Sequence, residues 1–269
     1  MRVALPIALL ALALGQIRDG TALAQGATPA GEAANISTTP PPVRPDRSSP
    51  RKQIEPAPQS DPDSMAFGPP APPDWWLERP SEQEFAACML ALNMLGTQYT
   101  LPPTVSDPDN GDCGIARPVL VDQIIPGVTL QGKAMMQCAT ARALALWTRE
   151  FVVPAAATLQ GAPRITGMTP GSTYHCRARI GTGNSRPKLS EHAKGNAIDI
   201  ASFQFDGHDP VPIAPRKGKG DRIEAFQRAV RASGCLYFTT VLGPGSNTAH
   251  ADHLHLDIAQ RRGDWRICQ

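Results

Sequence analysis

The 269-residue chain lacks several features that would point to common classes of protein. It has no long run of basic residues and a formal net charge of only +2, so nucleic acid binding is not indicated. Its six cysteines include no CxxC pair, which argues against a zinc knuckle built from cysteines. There is no internal repeat, and the "GTG" at 181–183 lacks the strand–turn–helix context of a phosphate loop. Its function must therefore be sought in shorter motifs.

The first 24 residues have the pattern of a secretory signal. Arg2 supplies the positive start, and Val3–Leu14 is an apolar run too short to span a bilayer as a helix. Ala22–Ala24 fits the small-x-small cleavage rule, with Gln25 as the mature start. An uncleaved membrane anchor is the alternative. Because no other long apolar run follows, we expect no stable membrane span after signal cleavage.

Residues 25–75 have the composition of a proline-rich linker. Fourteen of the 28 prolines lie between Pro29 and Pro80, and large apolar residues are few here. Such a segment cannot bury enough apolar surface to offset its ordering entropy, so we predict a disordered, extended tether. Residues 76–269 remain, and they are enough for one domain with a sizeable core.

All six cysteines lie in that last part of the chain. An even number of cysteines in an exported chain favours disulfides, and hence a periplasmic or secreted protein. Six cysteines allow fifteen pairings, among which sequence alone cannot choose. The simplest prediction pairs neighbours along the chain: Cys88–Cys113, Cys138–Cys176 and Cys235–Cys268.

Hydrophobic periodicity predicts three helices and a later group of strands. The first helix begins at a capping box, Ser81–Glu84, and ends at Gly96. The second spans about 133–151, and the third runs from Asp221 to Ser233. Strand patterns occupy 163–168, 173–178, 197–205, 211–213 and 253–259, and a turn at 206–210 predicts a hairpin. Helices first and strands later favour an α+β fold with an antiparallel sheet and flanking helices.

Two of these strand segments carry a candidate metal site. In "AIDIA" (197–201), alternation places Asp199 on the face opposite the two isoleucines. In "HLHLDI" (253–258), His253 and His255 share the other face from the leucines, about 6–7 Å apart at the backbone. A catalytic zinc ion typically takes three nitrogen or oxygen ligands from the protein. His192, Asp199 and either strand histidine meet that requirement, and the remaining histidine would act as general base or charge stabiliser.

The run "SEHAKGNAIDI" (190–200) resembles the S-x-H-x-x-G-x-A-x-D signature of the zinc DD-peptidase group. That group includes D-alanyl-D-alanine carboxypeptidases and dipeptidases, murein endopeptidases with an HxH motif, and the hedgehog signalling domain. With "TYHCRARIG" (173–181) and "GCLYFTTVLGPGSNTAHADHLHLDIA" (234–259), the chain is similar to the bacterial extensin-like C-terminal domain family. The resemblance covers most of residues 80–269 and implies a DD-peptidase/hedgehog-like zinc domain.

The resemblance also implies roles for individual residues. It assigns zinc ligation to His192, Asp199 and His255, and a catalytic role without zinc ligation to His253. Spacing alone does not distinguish His253 from His255.

Further roles follow from the same resemblance. These peptidases often use an arginine before the first ligand to polarise the scissile carbonyl group. Arg177 lies in the matching region, and Arg179 is the alternative. Ser190 is a candidate for orienting a ligand. The carboxypeptidase branch has a glutamate base shortly before its last ligand, whereas this chain offers Asp252, a departure that favours the HxH branch and leaves the base open.

We therefore expect an exported zinc-dependent hydrolase that cleaves an amide bond in peptidoglycan peptides. Two alternatives remain open. One is a non-catalytic cell-wall-binding or adaptor module that retains the metal site as structure. The other is a metal-dependent hydrolase that acts on a substrate outside the wall. No sequence feature indicates an oligomeric state.

Overall fold

The computed structural model describes residues 71–180, 183, 185, 187–216 and 218–269. The predicted signal and residues 25–70 of the predicted linker lie outside them. The α-helices of the described part are α1 (Asp74–Leu77), α2 (Glu82–Leu95), α3 (Cys138–Trp147), α4 (Val153–Ala156) and α5 (Arg222–Gly234). A π-helix, Thr148–Val152, joins α3 to α4, and short 3-10 helices occupy Glu191–Lys194, Thr248–His250 and Arg262–Asp264. None of the described helices is long and apolar enough to cross a membrane.

The strands of the described part are β1 (Gln98–Thr100), β2 (Val105–Ser106), β3 (Gly114–Ile115), β4 (Pro118–Ile125), β5 (Val128–Gln137), β6 (Ile165–Pro170), β7 (Ala197–Phe205), β8 (Val211–Pro212), β9 (Thr240–Leu242), β10 (Leu254–Asp257) and β11 (Ile267–Cys268). One sheet has the order β1-β4-β5-β6-β7-β10-β9-β11, with β8 also paired to β7. Strands β2 and β3 form a separate pair.

The fold is α+β as predicted, but the prediction of an antiparallel sheet was wrong. The sheet is mixed, because β5 pairs with β6 and β9 pairs with β11 in parallel. Between β5 and β6 the chain crosses over through α3 and α4, which is how neighbouring parallel strands are joined. The sequence did not reveal this crossover because β5 lies partly in a segment that was predicted to be helical.

Two predicted elements differ from the structure. The helix predicted over 133–151 begins only at Cys138, because Met136 pairs with Val119 in the β4–β5 ladder. Tertiary pairing here overrides a local preference for helix. The predicted strand at 173–178 is not formed, and its one bridge joins Ala178 to Leu189.

Other predicted boundaries are confirmed. Helix α2 begins at the capping box, in which Ser81 Oγ accepts a hydrogen bond from the Glu84 amide, and it is followed by Gly96 in the left-handed conformation. Helix α5 begins after Asp221, whose side chain accepts from the Glu224 amide. Strand β7 covers 197–205 as predicted and forms the expected hairpin with β8.

Strands β7 and β10 divide their side chains between the core and the opposite face. Ile198 and Ile200 of β7, with Leu254 and Leu256 of β10, are almost fully buried in the main apolar cluster. The alternation predicted for these two strands is therefore confirmed, and it leaves the intervening polar residues on the other face.

The three disulfides are Cys88–Cys138, Cys113–Cys176 and Cys235–Cys268. Pairing of neighbours is confirmed for Cys235–Cys268 and was wrong for the other four cysteines. Cys88 lies on α2, which packs against α3, so it meets the cysteine at the start of α3 rather than its neighbour in sequence. Three disulfides are typical of proteins from an oxidising compartment.

Candidate metal centre

The 3-10 helix Glu191–Lys194 carries His192. Ser190 caps the start of this helix, where its hydroxyl accepts a hydrogen bond from the His192 amide at 3.4 Å. Gly195 ends it with a φ of 70°. Ser190 therefore acts on the backbone of His192 rather than on its imidazole ring.

Asp199 and His255 lie directly opposite each other in the antiparallel pair formed by β7 and β10. Opposed residues of antiparallel strands place their side chains on the same face as close neighbours. The turn before β7 adds His192 from the side. Nδ1 of His255 lies 2.9 Å from Oδ1 of Asp199 and 3.1 Å from Nε2 of His192, and that Nε2 lies 3.2 Å from the same carboxylate oxygen. One donor atom of each residue thus converges on one point.

The outer nitrogens of both histidines are already engaged. Nδ1 of His192 donates to the carbonyl oxygen of Thr173 at 2.7 Å, and Nε2 of His255 donates to Oδ2 of Asp257 at 3.1 Å. When both rings are neutral, each therefore turns an unprotonated nitrogen toward the other ring and toward Asp199. Two nitrogen lone pairs and a carboxylate repel one another unless a cation or a proton lies between them.

These residues fit a zinc ion. Two imidazole nitrogens and one carboxylate oxygen form a three-ligand set of the kind found in catalytic zinc sites. Histidine ligands usually donate their other nitrogen to a carboxylate or a carbonyl group, and both histidines do so here. His192, Asp199 and His255 are the residues that would hold the ion.

Electrostatics among these side chains follow from the same contacts. Burial by itself favours the neutral form of Asp199, but its close contacts with His192 and His255 outweigh burial and hold the pKa of the carboxyl well below its usual range. Burial likewise lowers the pKa of His255, yet Asp199 and Asp257 together raise that pKa to about 9. A proton on His255 occupies the place that a metal ion would take.

Asp257 belongs to the candidate centre, although no role was predicted for it from the sequence. It is buried, and it accepts hydrogen bonds from the Thr240 hydroxyl at 2.6 Å and the Ala259 amide at 3.0 Å as well as from His255. These bonds outweigh the effect of burial and lower its pKa, which keeps it anionic. Its position two residues after His255, on the same strand face, is the signal that could have found it.

His253 lies at the edge of this centre. Its Nδ1 donates to Oδ1 of Asp252 at 2.8 Å, and its Nε2 lies 3.7 Å from Oδ2 of Asp199. It precedes the paired residues of β10, and its side chain is 20% exposed, so the ring is accessible from solvent.

His250 adds a third imidazole to this edge. Its ring centroid lies 5.2 Å from that of His253 and 5.6 Å from that of His255, and its Nδ1 donates to Asn247 at 2.7 Å. Burial, followed by the nearby charges of His255 and His253, lowers the pKa of His250 to about 4, so it is neutral at pH 7.

Arg177 and Arg179 differ in how fully their guanidinium groups are engaged. Arg179 donates to the Leu189 carbonyl at 3.2 Å and to the buried Glu191 at 2.8 Å. Among the residues that the structure describes, Arg177 makes one long bond, 3.4 Å, to the carbonyl of Ala178. Both arginines line the cleft that contains His253. Within the described part of the chain, Arg177 has more guanidinium N–H groups without a hydrogen-bond acceptor than Arg179 has.

A cleft of about 220 Å³ opens over these side chains.

The family model described as "Extensin-like protein C-terminus" matches residues 86–269. The chain belongs to this family. Searches of curated proteins and of solved structures give no match.

The extensin-like segment contains every predicted site residue, from Arg177 to His255. It begins inside α2, yet earlier residues pack against it. Trp75 of α1 is buried, and its indole nitrogen donates to the Gly111 carbonyl at 2.8 Å. Gly114 leaves room for this ring, because a Cβ there would lie 2.6 Å from it. The folded unit of this family member thus includes residues before the matched range.

Proposed function

We propose that this extensin-like domain is an exported zinc-dependent hydrolase that cleaves an amide bond in peptidoglycan peptides. The single observation that carries the proposal is the convergence of His192, Asp199 and His255, with both histidine tautomers fixed by outer partners. The resemblance of residues 190–200 to the zinc DD-peptidase signature supports the reaction class and the wall substrate. The predicted signal and the disulfides support the exported location.

A zinc ion held by these residues would polarise a carbonyl group and activate water. Proton transfer and binding of the substrate carbonyl oxygen would fall to side chains of the protein. His253 has Nδ1 tied to Asp252 and Nε2 facing the Asp199 carboxylate, so Nε2 can take up a proton and return it to a leaving amine.

Arg177 is the proposed group that binds the carbonyl oxygen of the substrate. Its donors are not consumed by a buried carboxylate, unlike those of Arg179. A positive charge placed where negative charge develops stabilises the transition state. His250, which is neutral at pH 7, can hydrogen-bond a polar group of the substrate at the other side of the cleft.

The test is mass spectrometry of purified muropeptides incubated with the zinc-loaded protein. We expect the wild type to release fragments and His253→Ala to lose at least about 100-fold in rate while still binding zinc. His208→Ala is the matched control, because His208 lies in the β7–β8 turn, next to Phe205, and should retain full activity.

Two outcomes would contradict the proposal. Binding of the wild-type protein to sacculi without release of any fragment would favour the wall-binding or adaptor module. Cleavage of peptides from a general library, with muropeptides left intact, would favour a hydrolase with a substrate outside the wall.

A further inference from the structure

A network of charged and amide side chains lies behind the turn that carries His192. Glu191 accepts from Arg179 at 2.8 Å and from Nδ2 of Asn196 at 2.9 Å, and it lies 3.5 Å from Nζ of Lys194. Glu78, which follows α1, forms an ion pair with Lys194 and accepts from Nδ2 of Asn196 at 2.7 Å. Glu78 and Lys194 are thus in contact although 116 positions separate them in the sequence.

Asn196 is the junction of this network. Both hydrogens of its amide are used, one by Glu78 and one by Glu191. Its backbone amide donates to the Glu191 carbonyl at 3.0 Å, and its carbonyl accepts from the Ile258 amide at 3.1 Å. Asn196 therefore joins the turn that carries His192 to the end of β10, next to the residue that orients His255.

Stability alone does not account for such a network. Buried ion pairs contribute little net stability compared with apolar side chains of similar size, because each charge must be taken out of water. Lys194 is 13% exposed and Glu191 6%, whereas Glu78 is 31% exposed at the outer end of the network. The network does fix the position of the Glu191–Lys194 turn, because its hydrogen bonds hold both ends of that turn.

We propose that Glu78 is a positioning residue for the candidate metal centre, acting through Lys194 and Asn196 on the turn that carries His192. The inference rests on the proposed function, because it takes the centre to hold zinc. Glu78 precedes the matched extensin-like range, so the centre depends on a residue that the family match does not contain. Loss of Glu78 removes one acceptor from Lys194 and one from Asn196 and frees the turn to shift.

The experiment measures zinc affinity by competition with a chelator, on the full-length protein, for Glu78→Ala, Glu78→Gln and Glu82→Ala. Glu82 is the control, because it also forms an ion pair, with Arg117, but is exposed and lies outside the network. We expect Glu78→Ala to weaken zinc binding about tenfold, at the lower end of what outer-shell substitutions cost. We expect Glu82→Ala to stay within about twofold of wild type.

Two further readouts separate positioning from a general loss of folding. Glu78→Gln keeps the shape and one oxygen acceptor, and should weaken zinc binding only about threefold. With Co²⁺ in place of zinc, the visible absorption band should shift in Glu78→Ala and not in Glu82→Ala, since the band reports ligand geometry. If Glu78→Ala does not fold, the zinc affinity of Glu78→Gln tests the proposal. Binding about threefold weaker than that of the wild type would support the positioning role. Zinc binding as tight as that of the wild type would contradict it.

Muropeptide turnover, measured on the same preparations, keeps the two proposals apart. Wild-type turnover with unchanged zinc affinity and an unchanged cobalt spectrum in Glu78→Ala would overturn the positioning role and leave the hydrolase intact. Zinc binding that weakens in Glu78→Ala, in a protein without turnover, would support the positioning role and overturn the hydrolase. A wild-type protein that binds no zinc would overturn both.

Discussion

Gly195 ends the turn that carries His192, and its conformation leaves no room for a side chain. Its φ is 70°, and a Cβ would lie 2.5 Å from Cδ1 of Ile115 and 3.1 Å from the backbone nitrogen of Gln137. A side chain at this position would therefore require movement of Ile115 and of the backbone of β5. Glycine is therefore required at this position of the S-x-H-x-x-G pattern for two reasons, the left-handed backbone conformation and the lack of space for a Cβ atom.

We expect Gly195→Ala to destabilise the protein by about 2–5 kcal/mol, the sum of left-handed strain and overpacking. Gly207→Ala is the matched control, because Gly207 has a φ of 68° but nothing within 4 Å of the added carbon. That variant should lose only about 1 kcal/mol. Urea denaturation of both variants checks the difference, and equal losses would show that the close contact is relieved without cost.

The proton on His255 predicts how metal binding depends on pH. With its pKa raised to about 9, the metal-free protein holds this proton at neutral pH, and zinc has to displace it. Apparent zinc affinity should therefore increase about tenfold per pH unit from pH 7, and level off as the pH rises through about 9. Chelator competition at several pH values measures the slope.

Asp257→Asn provides the control for this pH profile. Removal of the charge that helps to raise the pKa of His255 should move the plateau to lower pH. It should also weaken zinc binding at the plateau by about 10–100-fold, because the ring loses its orienting partner. An affinity that does not change with pH in the wild type would contradict the assigned proton.

At the residue scale, the sequence was informative where strand alternation applies. It placed Asp199 and His255 on the polar faces of their strands, and the structure pairs them directly. It could not separate Arg177 from Arg179, because the difference lies in Glu191, a partner from a later turn. Asp257 was visible on the correct face, but its bond to His255 depends on side-chain geometry.

At the scale of elements, the segment 171–180 shows how irregular structure can hold a site. It forms no strand, but it is fastened to the Glu191–Lys194 turn by backbone bonds, including those from the His175 amide to the His192 carbonyl and from the Ser190 amide to the Arg177 carbonyl. It supplies the Thr173 carbonyl that fixes the tautomer of His192. The disulfide Cys113–Cys176 joins this segment to the residue immediately before β3.

We expect loss of that disulfide to weaken zinc binding as well as folding. In the chain-entropy model, Cys113–Cys176 and Cys235–Cys268 close loops of 63 and 33 residues and should each contribute about 4 kcal/mol. Paired Cys→Ser variants should therefore lose similar stability in urea denaturation. Only the Cys113→Ser/Cys176→Ser protein should also bind zinc more weakly, and equal zinc affinity in both variants would refute the link between this segment and His192.

Elements with local signals were the ones that could be predicted. The capping box of α2 and the alternation of β7 are encoded within a few residues, and both boundaries are confirmed. The start of α3 and the pairing of Cys88 with Cys138 depend on contacts between distant segments. The parallel pairing of β5 and β6 depends on a crossover that no short window of sequence contains.

At the scale of the whole molecule, the candidate centre gathers side chains from a turn and two strands. His192 and His255 are 63 residues apart, and β7 and β10 are neighbours in the sheet although β8, α5 and β9 separate them along the chain. The unfolded chain cannot present these three ligands together. A metal ion bound here would therefore stabilise the native state as a whole, because it binds the folded form and not the unfolded one.

Removal of zinc should thus lower the melting temperature of the entire domain. At free zinc about 100 times its dissociation constant, the linkage adds about 2.7 kcal/mol, which corresponds to roughly 5–10 °C for a domain of this size. Scanning calorimetry with and without a chelator measures the shift. His255→Ala should lose the zinc-dependent part of the melting temperature, whereas His208→Ala should keep it. A chelator shift of the same size in His255→Ala would mean that zinc stabilises the protein at some other place, and the three-ligand centre would have to be abandoned.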